Sequence, residues 1–158
     1  MRIAFQGTEG AYSEEALLRN FPGSTPIGFP TFHQVFEAVE AGEAELGVVP
    51  VENTTAGSIN QTYDLLLESD LHVVGEIIHR VEHCLLAPEG TELKDLKAVK
   101  SHPQALAQCD GFLARMRLTP IPVFDTAGAA RSLSENPEPG VGAIASRRAA
   151  ELYGLKVL

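Results

Sequence analysis

Short apolar runs recur along the chain, and polar turns and helix-like patterns separate them. The predicted strands cover residues 2–5, 27–29, 46–51, 120–124 and 141–145, one or two strands within 71–87, one near 95–100 and a strand-like end, LKVL. Strands that alternate with helices indicate an α/β fold with mostly parallel sheets. The long segment 71–87 indicates a crossing between two similar lobes, so we predict a first lobe at 1–76 and a second at 77–158.

Polar residues mark the predicted helix starts. Ser13 precedes two glutamates and can cap a helix. Residues 31–34, 58–61 and 101–104 have capping-box patterns, and each precedes a predicted helix. The last of these helices is expected to continue to about residue 117. These patterns place a helix N-terminus directly after several strands.

The residues that follow the strands are rich in hydroxyl groups and glycine. They read TEGAYS, ENTTAGS, SHPQ and DTAG. Ligands of open α/β sheets bind at the carboxyl ends of the strands, and helix N-termini attract anions. Caps and turns alone explain many of these residues. Two features are not explained by capping and favour an anion-binding site. Glu52-Asn53 lies several residues before its helix, and Ser101, Gln104 and Gln108 form a polar stripe on a predicted helix.

Composition excludes several classes of protein. The formal charge of the 158 residues is −9, with 12 basic and 21 acidic side chains, which disfavours nucleic-acid binding. No apolar run approaches the roughly 20 residues of a membrane helix, and no signal peptide is recognisable. Cys84 and Cys109 are far apart in sequence and are predicted as core residues of a cytoplasmic protein. His79, His83 and Cys84 do not form a metal set, so no metal is predicted.

Five segments together resemble the catalytic domain of prephenate dehydratase. They are FQGTEGAYSEEA, GVVPVENTTAGSINQTYDLL, SHPQALAQC, DTAGAA and AIASRRAAELYGL, in the family's order across essentially the whole chain. The resemblance implies two α/β lobes like those of type II periplasmic binding proteins, with the active site in the cleft between the lobes. It also implies conversion of prephenate to phenylpyruvate, water and carbon dioxide in phenylalanine biosynthesis, without a cofactor.

The resemblance assigns catalytic roles to a small set of residues. The motif match implies Glu52, Asn53, Ser101 and Gln108. Position at strand ends extends this set to substrate-binding residues, namely Thr8, Gly10, Ala11, Thr54, Thr55, Gly57, His102 and Thr126. Hydroxyl and amide donors suit the two carboxylates of prephenate. Glu52 can protonate the departing hydroxyl only if burial raises its pKa.

The chain departs from the family pattern at one point. The family carries a Thr-Arg-Phe motif shortly after the segment that matches AELYGLKVL, and its threonine is the leading candidate for the proton donor. This sequence stops at Leu158, before that motif, before the return segment to the first lobe and before the phenylalanine-sensing domain of many members. We therefore expect these residues alone to be weakly active or inactive.

The sequence also leaves an alternative function open and carries expectations about partners. A non-catalytic two-lobe module that binds or senses a small carboxylate is the alternative function. The resemblance implies a homodimer, whereas charge and hydropathy predict no nucleic-acid or membrane partner.

Overall fold

The computed structural model describes residues 1–158, which fold into two compact units. Unit 1 comprises Met1–Thr8 and Ser13–His79, whereas unit 2 comprises Arg80–Leu158 and the short segment Glu9–Tyr12. Neither unit contains a helix with the length and hydropathy needed to cross a membrane. Each unit has its own sheet, so each is described by itself.

Unit 1 contains a parallel three-stranded sheet, a small hairpin and three helices. In chain order these elements are β1 (Arg2–Gln6), α1 (Tyr12–Asn20), β2 (Thr25–Phe29), α2 (Phe32–Glu40), β3 (Leu46–Val48), β4 (Glu52–Asn53), β5 (Gly57–Ser58) and α3 (Asn60–Glu68). The sheet order is β2-β1-β3, and both pairings are parallel. Ala4 of β1 packs against Val35 and Ala38 of α2, because this helix presents one apolar face to the sheet.

Unit 2 contains a five-stranded mixed sheet with helices on both of its faces. Its elements are β6 (Cys84–Ala87), a 3₁₀ turn (Leu93–Asp95), β7 (Ala98–Ser101), α4 (Pro103–Gln108), α5 (Asp110–Met116), β8 (Thr119–Pro122), α6 (Thr126–Glu135), β9 (Val141–Ala145), α7 (Arg147–Tyr153) and β10 (Lys156–Val157). The sheet order is β10-β6-β9-β7-β8. Strand β7 runs parallel to both of its neighbours, whereas β6 is antiparallel to β9 and β10.

Strand β9 lies at the centre of this sheet and is buried on both faces. Ala143 and Ala145 point into a cluster with α6 and α7, whereas Ile144 points into the opposite cluster with α4 and α5. Side chains alternate between the faces of a strand, so a continuous apolar run is required where both faces are covered. The sequence VGAIA therefore forms a central strand.

Several predictions from the sequence are confirmed. The fold is α/β with mostly parallel strand pairings. Thr31 forms the predicted capping box: its hydroxyl accepts from the Gln34 backbone N–H at 3.2 Å, and the Gln34 carboxamide accepts from the Thr31 N–H at 3.2 Å. Both cysteines are free thiols, and Cys84 is buried.

The predicted strand at 46–51 is wrong in its second half. Strand β3 ends at Val48, two residues before Pro50, which has no N–H to give to a ladder. Glu52 and Asn53 then pair antiparallel with Ser58 and Gly57 in the β4–β5 hairpin. Because Ser58 belongs to this hairpin, the predicted capping box at 58–61 does not form, and the N-cap of α3 is Ile59 without a side-chain cap bond.

The predicted capping box at 101–104 is also wrong. Ser101 is the last residue of β7, and the N-cap of α4 is His102, whose Nδ1 accepts from the Gln104 backbone N–H at 3.2 Å. The expected single helix to about residue 117 is two helices, α4 and α5, which meet at Cys109. Ser101 therefore does not share a helical stripe with Gln104 and Gln108.

Of two further predictions, one is confirmed in its smaller form and one is wrong. Of the one or two strands predicted within 71–87, one forms, which is β6, and residues 71–83 have no regular structure. A strand needs a neighbour that pairs with its backbone groups, and residues 71–83 pair with no strand. The apolar side chains of Val73, Val74 and Ile78 are exposed there. Helix α1 begins at Tyr12, so Ser13 lies inside the helix and does not cap it.

Candidate active site

The β4–β5 hairpin of unit 1 brings together five predicted site residues. Glu52, Asn53, Thr54, Thr55 and Gly57 follow one another along its two strands and its turn. The Asn53 Oδ1 atom accepts from the Thr55 N–H at 3.0 Å, the Thr55 hydroxyl at 2.7 Å and the Ala56 N–H at 3.2 Å. Gly57 has a φ of +85°, which glycine adopts without strain. The hairpin is thus stabilised by local bonds to one carboxamide oxygen.

This use of Asn53 determines what its side chain can offer to a ligand. Its oxygen is engaged by the turn, so the Nδ2 group supplies the donors that the amide can direct elsewhere. Such donors suit a carboxylate. Glu52, Thr54 and Thr55 are exposed to solvent. The structure therefore does not provide the burial on which a proton-donor role for Glu52 depends.

Thr8 follows β1 at the same edge of the sheet. Strand β1 pairs in parallel with β3, and Phe5 is opposite Val48. Thr8 lies three residues after Phe5, and Val51 lies three residues after Val48. The carboxyl ends of parallel strands are the usual place for ligands in such sheets. Thr8 is exposed at this edge.

Ser101 has a different environment in unit 2. Its side chain is completely buried, and its hydroxyl donates to the Ile144 carbonyl oxygen at 2.7 Å. This bond links β7 to β9 in the middle of the sheet. A direct contact between this hydroxyl and a ligand stays a prediction. His102, the next residue, caps α4 and is half-buried.

Gly10 and Ala11 belong to the short segment of unit 2 that comes from the start of the chain. The Ser146 hydroxyl donates to the Gly10 carbonyl oxygen at 2.6 Å, and the Tyr153 hydroxyl donates to the Glu9 carbonyl oxygen at 2.7 Å. Gly10 has a φ of +89°, and an added Cβ would lie 3.1 Å from the Ala149 Cβ. Glycine is therefore required here by the local fold, whatever the ligand.

Sequence reasoning missed a hydrogen-bonded group that includes Gln108. The Tyr12 hydroxyl lies 2.7 Å from the His83 Nδ1, and the His83 Nε2 lies 2.6 Å from the Gln108 Oε1. The Tyr12 and His83 rings meet edge to face with centroids 5.5 Å apart. His83 is separated from Tyr12 by 71 residues and from Gln108 by 25, so no local motif could have revealed the group.

Thr126 is the first residue of α6, beside a small pocket of unit 2. The cap of this helix is Asp125, whose Oδ1 accepts from the Gly128 backbone N–H. The pocket has a volume of about 280 Å³, and Phe124 at its wall is 90% exposed. Lys100, on the same wall, forms an ion pair with Glu138. The wall of this pocket therefore includes an aromatic ring and a lysine whose charge is paired with Glu138.

The Cys109 thiol and the possibility of a metal site are the remaining features with reactive groups. Burial raises the pKa of the Cys109 thiol, which lies next to Gln108 in sequence. A raised pKa keeps the thiol protonated at neutral pH and lowers its reactivity. Across residues 1–158, no three His, Cys, Asp or Glu side chains are grouped so that they could hold a metal ion.

The fold and these residues define an α/β protein with amide donors after its strands. A statistical model of the family described as prephenate dehydratase matches residues 3–158, so this chain belongs to the prephenate dehydratase family. The family expectation from the sequence is confirmed.

Named relatives support the same assignment. Arogenate dehydratase 2 of Petunia hybrida is 46% identical over 158 residues, which are all of this chain and 40% of that protein. Two solved structures superimpose closely over the whole chain. One is the quorum-quenching acylase GqqA, with a TM-score of 0.93, 44% identity and 58% of its chain covered. The other is the prephenate dehydratase of Arthrobacter aurescens in complex with L-Phe, with a TM-score of 0.89, 31% identity and 54% of its chain covered.

The chain spans about two fifths of the length of the curated plant relatives that it matches. Activity, substrate and assembly of the whole protein are therefore matters of proposal.

Proposed function

We propose that this chain carries substrate-binding residues of a prephenate dehydratase. The reaction is the decarboxylative dehydration of prephenate to phenylpyruvate, carbon dioxide and water. The observation that carries the proposal is the family match over residues 3–158, within which the β4–β5 hairpin presents Glu52 and Asn53. The curated relatives are named as arogenate or prephenate dehydratases, so arogenate is the competing substrate.

The chemistry requires little beyond binding and one proton. The carbon–carbon bond to the ring carboxylate breaks, and its electron pair enters the ring as carbon dioxide leaves. The carbon–oxygen bond to the ring hydroxyl breaks at the opposite carbon, and the hydroxyl leaves as water after it accepts a proton. Aromatisation of the ring makes the reaction strongly favourable, so no further electron acceptor and no cofactor is proposed.

Binding of substrate carboxylate is assigned to amide donors, in each unit by itself. The turn bonds of Asn53 use its Oδ1 atom, which leaves Nδ2 as the donor group of this amide, and the exposed side chain of Gln108 ends in a second amide. Neutral donors fixed by the protein stabilise an anion at low reorganisation cost. The proton donor is proposed to lie outside these residues, in the Thr-Arg-Phe segment of the family, because Glu52 is exposed.

The deciding experiment measures phenylpyruvate formation by these 158 residues and by a version extended through the Thr-Arg-Phe segment. We expect weak or no turnover by the shorter chain and clear turnover by the longer one. Full turnover by the shorter chain would refute the assignment of the acid. Binding of prephenate without turnover in both would favour a non-catalytic binding module. A parallel assay with arogenate, read as phenylalanine formation, identifies the preferred substrate.

Substitution of Asn53 separates ligand contact from the turn. Asn53→Asp keeps an oxygen that can accept the three turn bonds, but it removes the Nδ2 donors and adds a negative charge. We expect it to lower kcat/KM of the extended protein by about 10²-fold, the usual effect of removing one donor from such a site. An unchanged kcat/KM would exclude Asn53 from the site.

The homodimer and the cytoplasmic location stay predictions. Mass determination in solution by light scattering tests the first, and fractionation of the source cells tests the second.

A further inference from the structure

His83 stands between two residues that only the fold brings together. It is half-buried directly before β6, and its two ring nitrogens contact the Tyr12 hydroxyl and the Gln108 carboxamide oxygen at 2.7 Å and 2.6 Å. All three residues belong to unit 2. Both distances are within hydrogen-bonding reach, and the distance between the His83 Nε2 and the Gln108 Oε1 is shorter than is usual for N–H···O bonds.

The chemistry of the two partners determines the direction of each bond. The Gln108 Oε1 atom has no proton, so the His83 Nε2 must donate to it. A neutral imidazole then has an acceptor at Nδ1, and the Tyr12 hydroxyl donates to that atom. The chain of bonds therefore runs from the Tyr12 hydroxyl through the imidazole to the Gln108 oxygen.

This arrangement selects one of the two orientations of the Gln108 amide. A carboxamide can rotate by half a turn and exchange its oxygen for its NH₂ group, which would reverse the polarity that it offers to a ligand. With the oxygen held by His83, the NH₂ group is directed away from the imidazole. Gln108 is an exposed residue, and its NH₂ group has two hydrogens that it can donate. A carboxylate accepts from NH₂ and is repelled by the amide oxygen.

We propose that His83 is a positioning residue that, together with Tyr12, orients the Gln108 amide so that its NH₂ group meets a carboxylate of the substrate. The carboxylate part of this inference rests on the proposed function. Its effect is pre-organisation: the amide is oriented before the substrate arrives, so less freedom is lost on binding. His83 acts through Gln108 and does not itself contact the substrate.

The first test is NMR of the ¹⁵N-labelled 158-residue chain at neutral pH. Long-range correlations of the histidine rings distinguish the two tautomers, and the His83→Phe spectrum identifies the His83 signals. We expect His83 in the form that is protonated at Nε2. We also expect the Gln108 side-chain NH₂ signals to shift in His83→Phe. A ring protonated at Nδ1, or Gln108 signals that do not move, would overturn the proposal.

The second test measures the Kd of prephenate for a matched set of variants. His83→Phe keeps a ring but removes both bonds, and we expect affinity to fall by about fivefold to tenfold, the effect of one hydrogen bond. His83→Gln places an N–H donor near the Nε2 position and should restore most of that affinity. His83→Asn is too short to reach Gln108 and should behave like His83→Phe. His72→Phe, at an exposed site outside this group, is the control for loss of a histidine.

The two tests separate the inference from the function on which it rests. Equal affinities for the wild type and His83→Phe, with wild-type binding intact, would overturn the positioning role. A wild-type chain that does not bind prephenate would overturn the proposed function instead. In that case the imidazole and amide signals still decide whether His83 orients Gln108.

Discussion

Unit 1 carries its candidate residues on an exposed hairpin, whereas unit 2 carries several of its own within or against the core. The bonds that hold Asn53 reach only two or three residues along the chain. In contrast, Ser101 bonds to a residue 43 positions away, and Gly10 bonds to one 136 positions away. Local bonds can be lost with little effect on the rest of a fold, whereas buried long-range bonds cannot. We therefore expect function and stability to be separable in unit 1 and coupled in unit 2.

The largest expected difference is between two glycines of similar conformation. Gly10→Ala and Gly57→Ala each place a Cβ on a residue with positive φ, which costs about 1–3 kcal/mol. Only at Gly10 does the new atom also meet neighbours, the Ala149 Cβ at 3.1 Å and the Tyr153 ring at 3.3 Å, and such crowding adds about 1–3 kcal/mol. Urea unfolding measures both. Equal losses would show that the two sites are alike and would break the comparison.

A smaller effect is expected from two serines. Ser101→Ala removes the bond to the buried Ile144 carbonyl and should lower the free energy of unfolding by about 1–3 kcal/mol. Ser58→Ala, in the exposed hairpin of unit 1, should change it by less than about 0.5 kcal/mol. The same urea titrations provide the values. A Ser101→Ala protein of wild-type stability would remove the structural role assigned to this hydroxyl.

Asn53→Ala tests the separation of function from stability within unit 1. It removes the acceptor of three turn bonds in an exposed hairpin, so we expect a loss of stability of about 1 kcal/mol or less. Activity of the extended protein should nevertheless fall by about 10²-fold, because the amide donor is lost as well. Thermal unfolding and a phenylpyruvate assay measure the two effects. A loss of several kcal/mol would mean that the hairpin is part of the core after all.

The smallest effect concerns the pH dependence of unit 1. The Arg2 backbone N–H donates to Glu45 and lowers the pKa of that carboxyl, with the nearby Arg2 charge and N-terminus in support. A lowered pKa in the folded state stabilises the fold above the ordinary pKa of glutamate. This stabilisation is lost as the pH falls through the folded value. Glu45→Gln should therefore lower stability slightly at pH 7 and leave it unchanged at pH 2, as measured by urea unfolding. A difference that persists at pH 2 would assign the effect to another cause.

The sequence was sufficient for features that depend on local periodicity. The capping box at Thr31 and the buried strand VGAIA formed as predicted, because both depend on neighbours within a few residues or on a continuous apolar run. The Ser101 hydroxyl had two possible hydrogen-bond partners. A cap bond within the helix was predicted, but the Ile144 carbonyl across the sheet is the partner that formed. Periodicity contains no information about which strand will lie alongside.

The same reason explains the errors around the candidate site. The run before Glu52 is apolar, but Pro50 ends the strand, and the hairpin register then uses Ser58. The contact of His83 with Tyr12 and Gln108 depends on how segments far apart in sequence are brought together. The sequence did not predict a role for His83, because its two partners are 71 and 25 residues away along the chain.

The segment Glu9–Tyr12 has a consequence for the order in which the chain folds. Its hydrogen-bond partners Ser146 and Tyr153 lie 136 and 144 positions further along the chain than the carbonyl groups that they bind. Unit 2 therefore cannot acquire these contacts until the chain has been synthesised as far as Tyr153. Contacts of such long sequence separation close large loops and form slowly. A chain cleaved after Tyr12 would lack this segment in unit 2 and would have to recruit it from a separate polypeptide.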